Sequence, residues 1–387
     1  MALASYDYVV VGAGLAGATA AERLATGLRQ RVLVIEKRGR AGGNCHDGYD
    51  EHGILVHTHG PHVFHTKRPD VWNYLSGFTT WRLYQHRVRC RIEGKEVPLP
   101  FNLNTIDQVF PAVLSQRLTR KLIEERGYGE RVSLLELREA RDPDLQRLWR
   151  FVYDNVFLNY TMKQWGCKPE DLAESVTARV PIVISRDDRY FRDPYQGIPA
   201  EGYTRMVERM LQAENVHLLL NTDCRDVLKI GADGFRLFGA PFAGKVVYTG
   251  PIDSLMGYEY GVLPYRSLRL EFEHLPQPVY QSVATINYPN DYDFTRITEF
   301  KHLTGQAGPG TTILREFPID YDPNVAGKDT PYYCVQKPGE CEAYRKYAEA
   351  AGRVPGLILL GRLAEYRYYN MDEVVGRGLD VIAEQHS

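Results

Sequence analysis

Gly12, Gly14 and Gly17 follow four β-favouring residues, Tyr8-Val9-Val10-Val11, and precede a helix-forming stretch from Ala18 to Leu24. Glycines at the first, third and sixth places of such a turn suit a bound pyrophosphate. Gly12 allows the turn, Gly14 lets phosphates approach the backbone, and Gly17 lets helix and strand pack closely. Leu15 lies where the helix begins, and that N-terminus offers unpaired N–H groups to the phosphates. Val32-Leu33-Val34-Ile35 reads as a second buried parallel strand, with Glu36 at its end, nineteen residues after Gly17. A carboxylate there accepts hydrogen bonds from a ribose diol, which favours FAD or NAD over NADP.

The residues after Glu36 choose between those nucleotides. Lys37-Arg38-Gly39-Arg40-Ala41-Gly42-Gly43-Asn44 adds a basic loop and a Gly-Gly pair. It resembles the flavoprotein form of the fingerprint, in which this second loop wraps the FAD pyrophosphate and ribityl chain, so FAD is the expected cofactor, with Lys37, Gly43 and Asn44 among its ligands. Six of the eleven histidines, at 46, 52, 57, 59, 62 and 65, fall in the next stretch. No carboxylate or thiol completes a metal set there, and Gly60-Pro61 interrupts any single face. The expectation is instead that Gly60-Pro61-His62-Val63-Phe64-His65-Thr66 sits over the flavin, with His62 and His65 as hydrogen-bonding imidazoles. Near the C-terminus, Leu357-Ile358-Leu359-Leu360 reads as a buried strand ending at Gly361-Arg362. Past Met371 a helix should turn its N-terminus toward the flavin.

These residues need a large scaffold, and 387 residues can bury a sizeable core in two or three domains. Lys plus Arg number 47 against 49 Asp plus Glu, so no global basic field attracts nucleic acid or a membrane. Any anionic ligand must be held by local arginines. No apolar run approaches the ~20 residues of a membrane span, and no secretion signal is legible, so a cytoplasmic protein is expected. The six cysteines, without CxxC or zinc spacing, read as reduced thiols. Twenty-six tyrosines, dense at 258–292 and 321–369, offer stacking faces and hydroxyls that suit a sugar-nucleotide pocket.

The elements follow the same logic. Val88-Arg89-Cys90-Arg91-Ile92 and Val97-Pro98-Leu99 flank a Glu93-Gly94-Lys95 turn and read as a hairpin. Ser133-Leu134-Leu135-Glu136 is a capping box. Asp142-Pro143 starts a helix whose stripe is Leu145, Leu148, Trp149, Val152 and Val156. The fold class expected is α/β: a discontinuous Rossmann-like FAD-binding domain (1–80, 200–260 and 350–387), an inserted helical bundle (104–166), and an antiparallel sheet domain (81–103, 175–199 and 261–349).

Several stretches together resemble the UDP-galactopyranose mutases of bacterial type. They are the His62/His65 loop, Pro100-Phe101-Asn102, the run Tyr160…Trp165…Arg179, Arg186-Asp187-Asp188-Arg189-Tyr190-Phe191, Thr295-Arg296-Ile297-Thr298-Glu299, Thr330-Pro331-Tyr332-Tyr333, and Gly361-Arg362 through Tyr368-Tyr369-Asn370-Met371. The resemblance covers nearly the whole chain. It implies interconversion of UDP-galactopyranose and UDP-galactofuranose, with N5 of reduced FAD attacking the anomeric carbon, a ring-opened flavin iminium, and no net redox change. It also implies an electron donor such as NAD(P)H, and a homodimer.

By the same resemblance, Arg179 and Arg296 clamp the diphosphate and, with His62, form the catalytic set. Tyr160 stacks the uracil, Trp165 lines the nucleotide channel, and Tyr190, Tyr333 and Tyr368 bond phosphate oxygens. Asn102, Phe157, Thr161 and Asn370 complete the substrate set, while Gly361, Arg362, Asn370 and Met371 complete the cofactor set. Asn370 stands where many bacterial members carry an aspartate, and an amide cannot act as a base. Two alternatives are an FAD oxidoreductase of the amine-oxidase type, whose apolar pocket would not need the arginines and tyrosines, and a nucleotide-sugar binding protein with vestigial flavin.

Overall fold

A computed structural model describes residues 6–168, 181–231, 234–335 and 341–385. Two larger sheets organise the chain. Their strands, in chain order, are β1 (Tyr8–Val11), β2 (Val32–Ile35), β3 (Val88–Ile92), β4 (Lys95–Leu99), β5 (Val216–Leu219), β6 (Lys245–Tyr248), β7 (Tyr265–Leu275), β8 (Thr285–Asn287), β9 (Arg296–Glu299), β10 (Thr311–Asp320), β11 (Tyr333–Cys334) and β12 (Leu357–Leu359). The helices that bear on the site are α1 (Leu15–Glu22), α2 (Leu103–Val109), α3 (Ala112–Arg126), α4 (Leu134–Arg138), α5 (Pro143–Val152), α6 (Leu158–Trp165) and α7 (Met371–Glu384).

The first sheet is five-stranded and parallel, in the order β5-β2-β1-β6-β12. Its central strands β1 and β2 are buried at every residue, as their unbroken apolar runs require of strands covered on both faces. On one face α1 and α7 pack together, close enough that a Cβ added to Gly378 would stand 2.9 Å from Thr19 Cγ2. This is the Rossmann-like half of an α/β fold.

The second sheet has the order β11-β7-β10-β9-β8-β3-β4. It was expected to be antiparallel, and most of its pairs are, but β8 runs parallel to β3. The β3–β4 hairpin closes on itself through a tight turn. Its junction with β8 is bridged by nearly two hundred residues, so no tight turn dictates direction. A smaller sheet joins Tyr195–Pro199 to Phe64–Thr66 and Trp81–Leu83, fastening the histidine loop beside the main sheets.

Helices α2 to α6 form the bundle, and their ends are where local sequence signals place them. Ser133 Oγ accepts from Glu136 N at 3.2 Å while Glu136 Oε2 accepts from Ser133 N at 2.9 Å. Asp142 Oδ1 accepts from Asp144 N and Leu145 N. Leu145, Leu148, Val152 and Val156 are buried against Leu114, Leu118 and Leu122. Between α5 and α6 the chain passes through a wide π-turn at Tyr153–Phe157, which re-aims the stripe before α6 reaches the site. Among the described residues no helix is long and apolar enough to cross a membrane.

Two histidines are buried outside the bundle, His57 beside Tyr203 and Phe300 and His86 beside Tyr190 and Phe191. His57 is fully buried, and its Nδ1 accepts from the His62 backbone N–H at 2.9 Å, so its own proton sits on Nε2. Burial lowers its pKa to about 4 and that of His86 to about 3. Both folded-state values are below the unfolded value of ~6.5, so the stabilisation is complete above ~6.5 and is lost as pH falls through it toward about 4 and 3. Each group then costs up to ~1.4 kcal/mol per pH unit in that window. We expect the urea midpoint to drop clearly between pH 7 and pH 5, with a smaller drop in His57→Gln; a midpoint flat across that range would contradict the assignment.

Candidate active site

One cavity of about 450 Å³ gathers residues from across the chain: Gly12, Gly14, Leu15, Glu36, Lys37, Gly43, Asn44, His62, Gly361, Arg362, Asn370 and Met371. Its floor is bare backbone. Gly12 turns with φ at +101°, and a Cβ on Gly43 would stand 2.8 Å from Gly14 Cα, so the two glycine loops can meet only without side chains. Gly17 lies behind the cavity and not on its wall. A Cβ there would fall 1.9 Å from the Gly12 carbonyl oxygen, which makes Gly17 the residue that lets α1 touch the turn. Glu36 is buried and fixed, with Oε2 accepting from Ala13 N at 2.8 Å and Oε1 from Arg38 N at 2.9 Å. Its remaining lone pairs suit hydroxyl donors. Asp223, Arg225, Tyr258 and Tyr321 line the cavity further on. A bare phosphate cradle with a pre-oriented buried acceptor fits a dinucleotide.

His62 and Arg362 mark the other end. His62 Nδ1 lies 2.8 Å from the Gly60 carbonyl, which can only accept, so Nδ1 carries the proton and Nε2 keeps its lone pair. Burial, with lesser help from the neighbouring His57, Arg362 and Arg296, brings its pKa to about 3. The ring is therefore a neutral acceptor near neutral pH. Arg362 donates to the Tyr332 carbonyl at 3.1 Å and, through Nε and Nη2, to the Tyr369 carbonyl, and lies over the rings of Tyr368 and Tyr333. These partners are carbonyls and π-faces, so none cancels its positive charge.

Beside this cavity the second sheet presents a charged pair. Arg296 on β9 lies directly across from Glu316 on β10, and the pair is bidentate: Nε to Oε1 at 2.6 Å and Nη2 to Oε2 at 2.8 Å. Glu316 is 1% exposed. Burial works against the Arg296 charge, but Glu316 outweighs it and holds the guanidinium pKa well above the ordinary arginine value. Tyr160 on α6, Tyr190 and Tyr333 lie within electrostatic reach of that guanidinium, and Tyr190 and Tyr333 within reach of Tyr368. Tyr333 and Tyr368 stack 6.0 Å apart, and Trp165 meets Tyr333 edge to face at 6.0 Å. Across β8 from Arg296, on the same face, stands Asn287, 8% exposed, its Oδ1 buried without a hydrogen-bond partner. An unpaired buried amide oxygen facing a cluster of ligand-binding type is an acceptor waiting for a donor.

Not every expected residue joins this arrangement. Asn102 is fully buried: Oδ1 accepts from Thr105 N as the cap of α2, and Nδ2 donates to Asp188 Oδ1 and the Asp187 carbonyl. Its polar atoms are engaged internally in this structure, as an Asn before a helical run is a cap first. Phe157 belongs to the bundle core, against Tyr153, and Thr161 is buried on α6. His65 is absent from the cavity wall; its Nδ1 bonds Asp193 at 2.5 Å and its ring stacks on Phe191, so it positions that segment. Arg179 lies outside the described residues. Sequence reading missed Glu316 and Asn287. A carboxylate in the middle of the strand pattern of Thr311–Asp320 was the available signal for the first; nothing local distinguished the second.

Comparison with known proteins agrees with this geometry. A family model described as UDP-galactopyranose mutase matches residues 155–368, and one described as an NAD(P)-binding Rossmann-like domain matches residues 10–78. Over 381 residues the chain is 34% identical to a Klebsiella pneumoniae protein named probable UDP-galactopyranose mutase, covering 98% of this chain and 94% of that protein. It is 33% identical over 375 residues to the dTDP-fucopyranose mutase of Escherichia coli, covering 96% of each. The solved structure of a reduced UDP-galactopyranose mutase superposes with a TM-score of 0.73 at 18% identity, covering 99% of this chain and 94% of that one, a likeness of fold. With a matching family model over more than half its length and full-length relatives above 30% identity, this chain belongs to the UDP-galactopyranose mutase family.

Proposed function

We propose that this isomerase interconverts UDP-galactopyranose and UDP-galactofuranose, with FAD in the glycine-lined cavity and the UDP-sugar on the Arg296 face of the second sheet. The observation that carries the reading is the meeting of a half-buried guanidinium fork, four tyrosines and a glycine-lined cavity around Arg296 and Arg362. Bound and reduced, FAD would supply a nucleophilic N5 toward the anomeric carbon and keep its electrons over the cycle, with a donor such as NAD(P)H restoring the reduced state.

The chain's own residues set the conditions for that chemistry. Glu316 occupies two edges of the Arg296 fork, so Arg296 meets a phosphate through what remains, in a fixed direction. The pair is neutral as a unit. The net positive charge needed to hold a departing diphosphate must come from elsewhere, and Arg362 and Arg179 are the candidates. Tyr160 would stack the pyrimidine, Trp165 would wall the nucleotide, and Tyr190, Tyr333 and Tyr368 would bond phosphate oxygens. Asn287 would accept from the base or ribose. His62, neutral with Nδ1–H committed to Gly60, would orient and accept, and it has no proton to give near neutrality. Asn370, an amide on the cavity wall, cannot serve as a base. Holding geometry, more than proton transfer by the protein, would supply the rate advantage.

The Escherichia coli relative supports a second reading, in which dTDP-fucopyranose and its furanose are the pair interconverted. The deciding experiment gives the flavin-loaded protein each furanose, oxidised and after anaerobic reduction with dithionite, and separates the products by chromatography. We expect UDP-galactopyranose to form from UDP-galactofuranose in the reduced sample only. Faster turnover of the dTDP sugar selects the second reading; conversion of neither, with UDP still bound, favours an oxidoreductase of the amine-oxidase type or a binding protein. Arg296→Lys and Arg179→Lys should each lower kcat/KM at least about thirtyfold, roughly 2 kcal/mol, because a point charge cannot replace a planar fork. Near-normal turnover of either would remove that arginine from the clamp. Tyr160→Ala should weaken UDP binding by about 1–2 kcal/mol if it stacks the base; calorimetry giving the parental dissociation constant would return Tyr160 to a packing role.

A further inference from the structure

The C-terminal end of α6 rests on a residue that the proposed chemistry does not use. A helix ends with carbonyls that have no partner within it. Here Arg266, on β7, supplies donors to two of them: Nε to the Gln164 carbonyl at 3.1 Å and Nη2 to the Lys163 carbonyl at 3.3 Å. The helix then stops at Gly166, left-handed with φ at +68°, and a Cβ there would stand 2.7 Å from Arg266 Nη1. The guanidinium is thus seated against the one residue type that leaves it room. Arg266 is 7% exposed, whereas the Asp320 carboxylate that also pairs with it is 90% exposed. An exposed carboxylate contributes little, so the weight of the contact lies on the carbonyls and the favourable end of the helix dipole.

The backbone of the same residue holds another part of the site. Arg266 is in register with Tyr333 on β11, and its carbonyl accepts from Tyr332 N at 2.9 Å. Its side chain therefore holds the helix of Tyr160 and Trp165 while its main chain holds the strand of Tyr333, and Trp165 and Tyr333 meet edge to face beside it. The opposite flank of α6 is tied to the β8–β9 hairpin: Lys163 Nζ donates to the Tyr288 carbonyl at 2.9 Å and Asn159 Nδ2 to Asn290 Oδ1 at 2.7 Å. That hairpin carries Asn287 and Arg296. Released from Arg266, α6 would keep its tie to Arg296 and lose its tie to Tyr333.

We propose that Arg266 is a positioning residue for nucleotide binding: by capping the C-terminus of α6 it fixes Tyr160 and Trp165 relative to Tyr333 and so sets the width of the nucleotide site. The inference rests on the assignment of Tyr160 and Trp165 to the nucleotide. Its test measures UDP binding to the flavin-loaded protein by calorimetry, and separately KM and kcat for UDP-galactofuranose. Arg266→Gln should weaken UDP binding and raise KM roughly tenfold, or about 1.4 kcal/mol, while kcat stays within about twofold and flavin content is unchanged. Asp320→Asn should match the parent, and Arg266→Lys should fall between, keeping the charge at the helix end without the fork. Gly166→Ala leaves Arg266 in the sequence and displaces its guanidinium, so it should reproduce the KM effect even if Arg266→Gln does not fold. The proposal is overturned by parental UDP affinity in Gly166→Ala or in folded Arg266→Gln, by a fall in kcat at constant KM, or by an Asp320→Asn effect as large as that of Arg266→Gln. A parent that binds UDP but turns over neither furanose would defeat the mutase reading alone, because the binding comparison stands without turnover.

Discussion

A guanidinium placed on the face of a sheet loses hydration worth several kcal/mol, and only a well-aligned carboxylate makes that position tolerable. Arg296 and Glu316 meet that condition with two short, parallel contacts across neighbouring antiparallel strands. The arrangement constrains everything near it. A shift of β9 against β10 by one residue would turn one of the two charges to the opposite face and leave its partner buried alone. The hairpin that carries Arg296 must therefore be held in register, and α6 grips that hairpin through Lys163 and Asn159. The aromatic wall follows from the same need. Tyrosines exclude water from the pair and still offer hydroxyls to an anionic ligand.

The two halves of the molecule are joined at Arg362. It follows β12, at the edge of the parallel sheet, yet its Nη1 reaches the Tyr332 carbonyl at the edge of the second sheet, and Cys334 Sγ donates to the Arg362 carbonyl. Among the described residues its side-chain partners are carbonyls and ring faces, so the residue that fastens the sheets together also makes the junction attractive to anions. His62 lies at the same boundary and is neutral there because burial, Arg362 and Arg296 all oppose a further positive charge.

Particular residues show how far reading the chain could go. The capping box at Ser133, the N-cap at Asp142, the turn at Gly12, and the acceptor at Glu36 all depend on neighbours within one supersecondary unit, and each forms as its local pattern implies. Asn102 shows what a single position does not reveal: its side chain caps helix α2 and bonds Asp188, a partner eighty-six residues away. His65 likewise shares a loop with His62, but strand alternation turns it toward Asp193 and Phe191. The parallel junction of β8 with β3 could not be read either, because no turn connects the two strands, which lie nearly two hundred residues apart in the chain.

The chain alone determined a glycine-lined cradle, its backbone geometry, the carboxylate at its strand end, and the resemblance that carries the family, since these are written in contiguous residues whose φ preferences and hydrogen-bonding groups act over a few positions. Tertiary structure decided the rest: that Glu316 pairs with Arg296, that Asn287 stands beside them with an unspent acceptor, and that Arg266 closes a helix lying about a hundred residues before it in the chain. Those contacts depend on strand register and on helix ends meeting distant side chains. The free energy that selects them comes from burying many groups together, and no short stretch of sequence contains it.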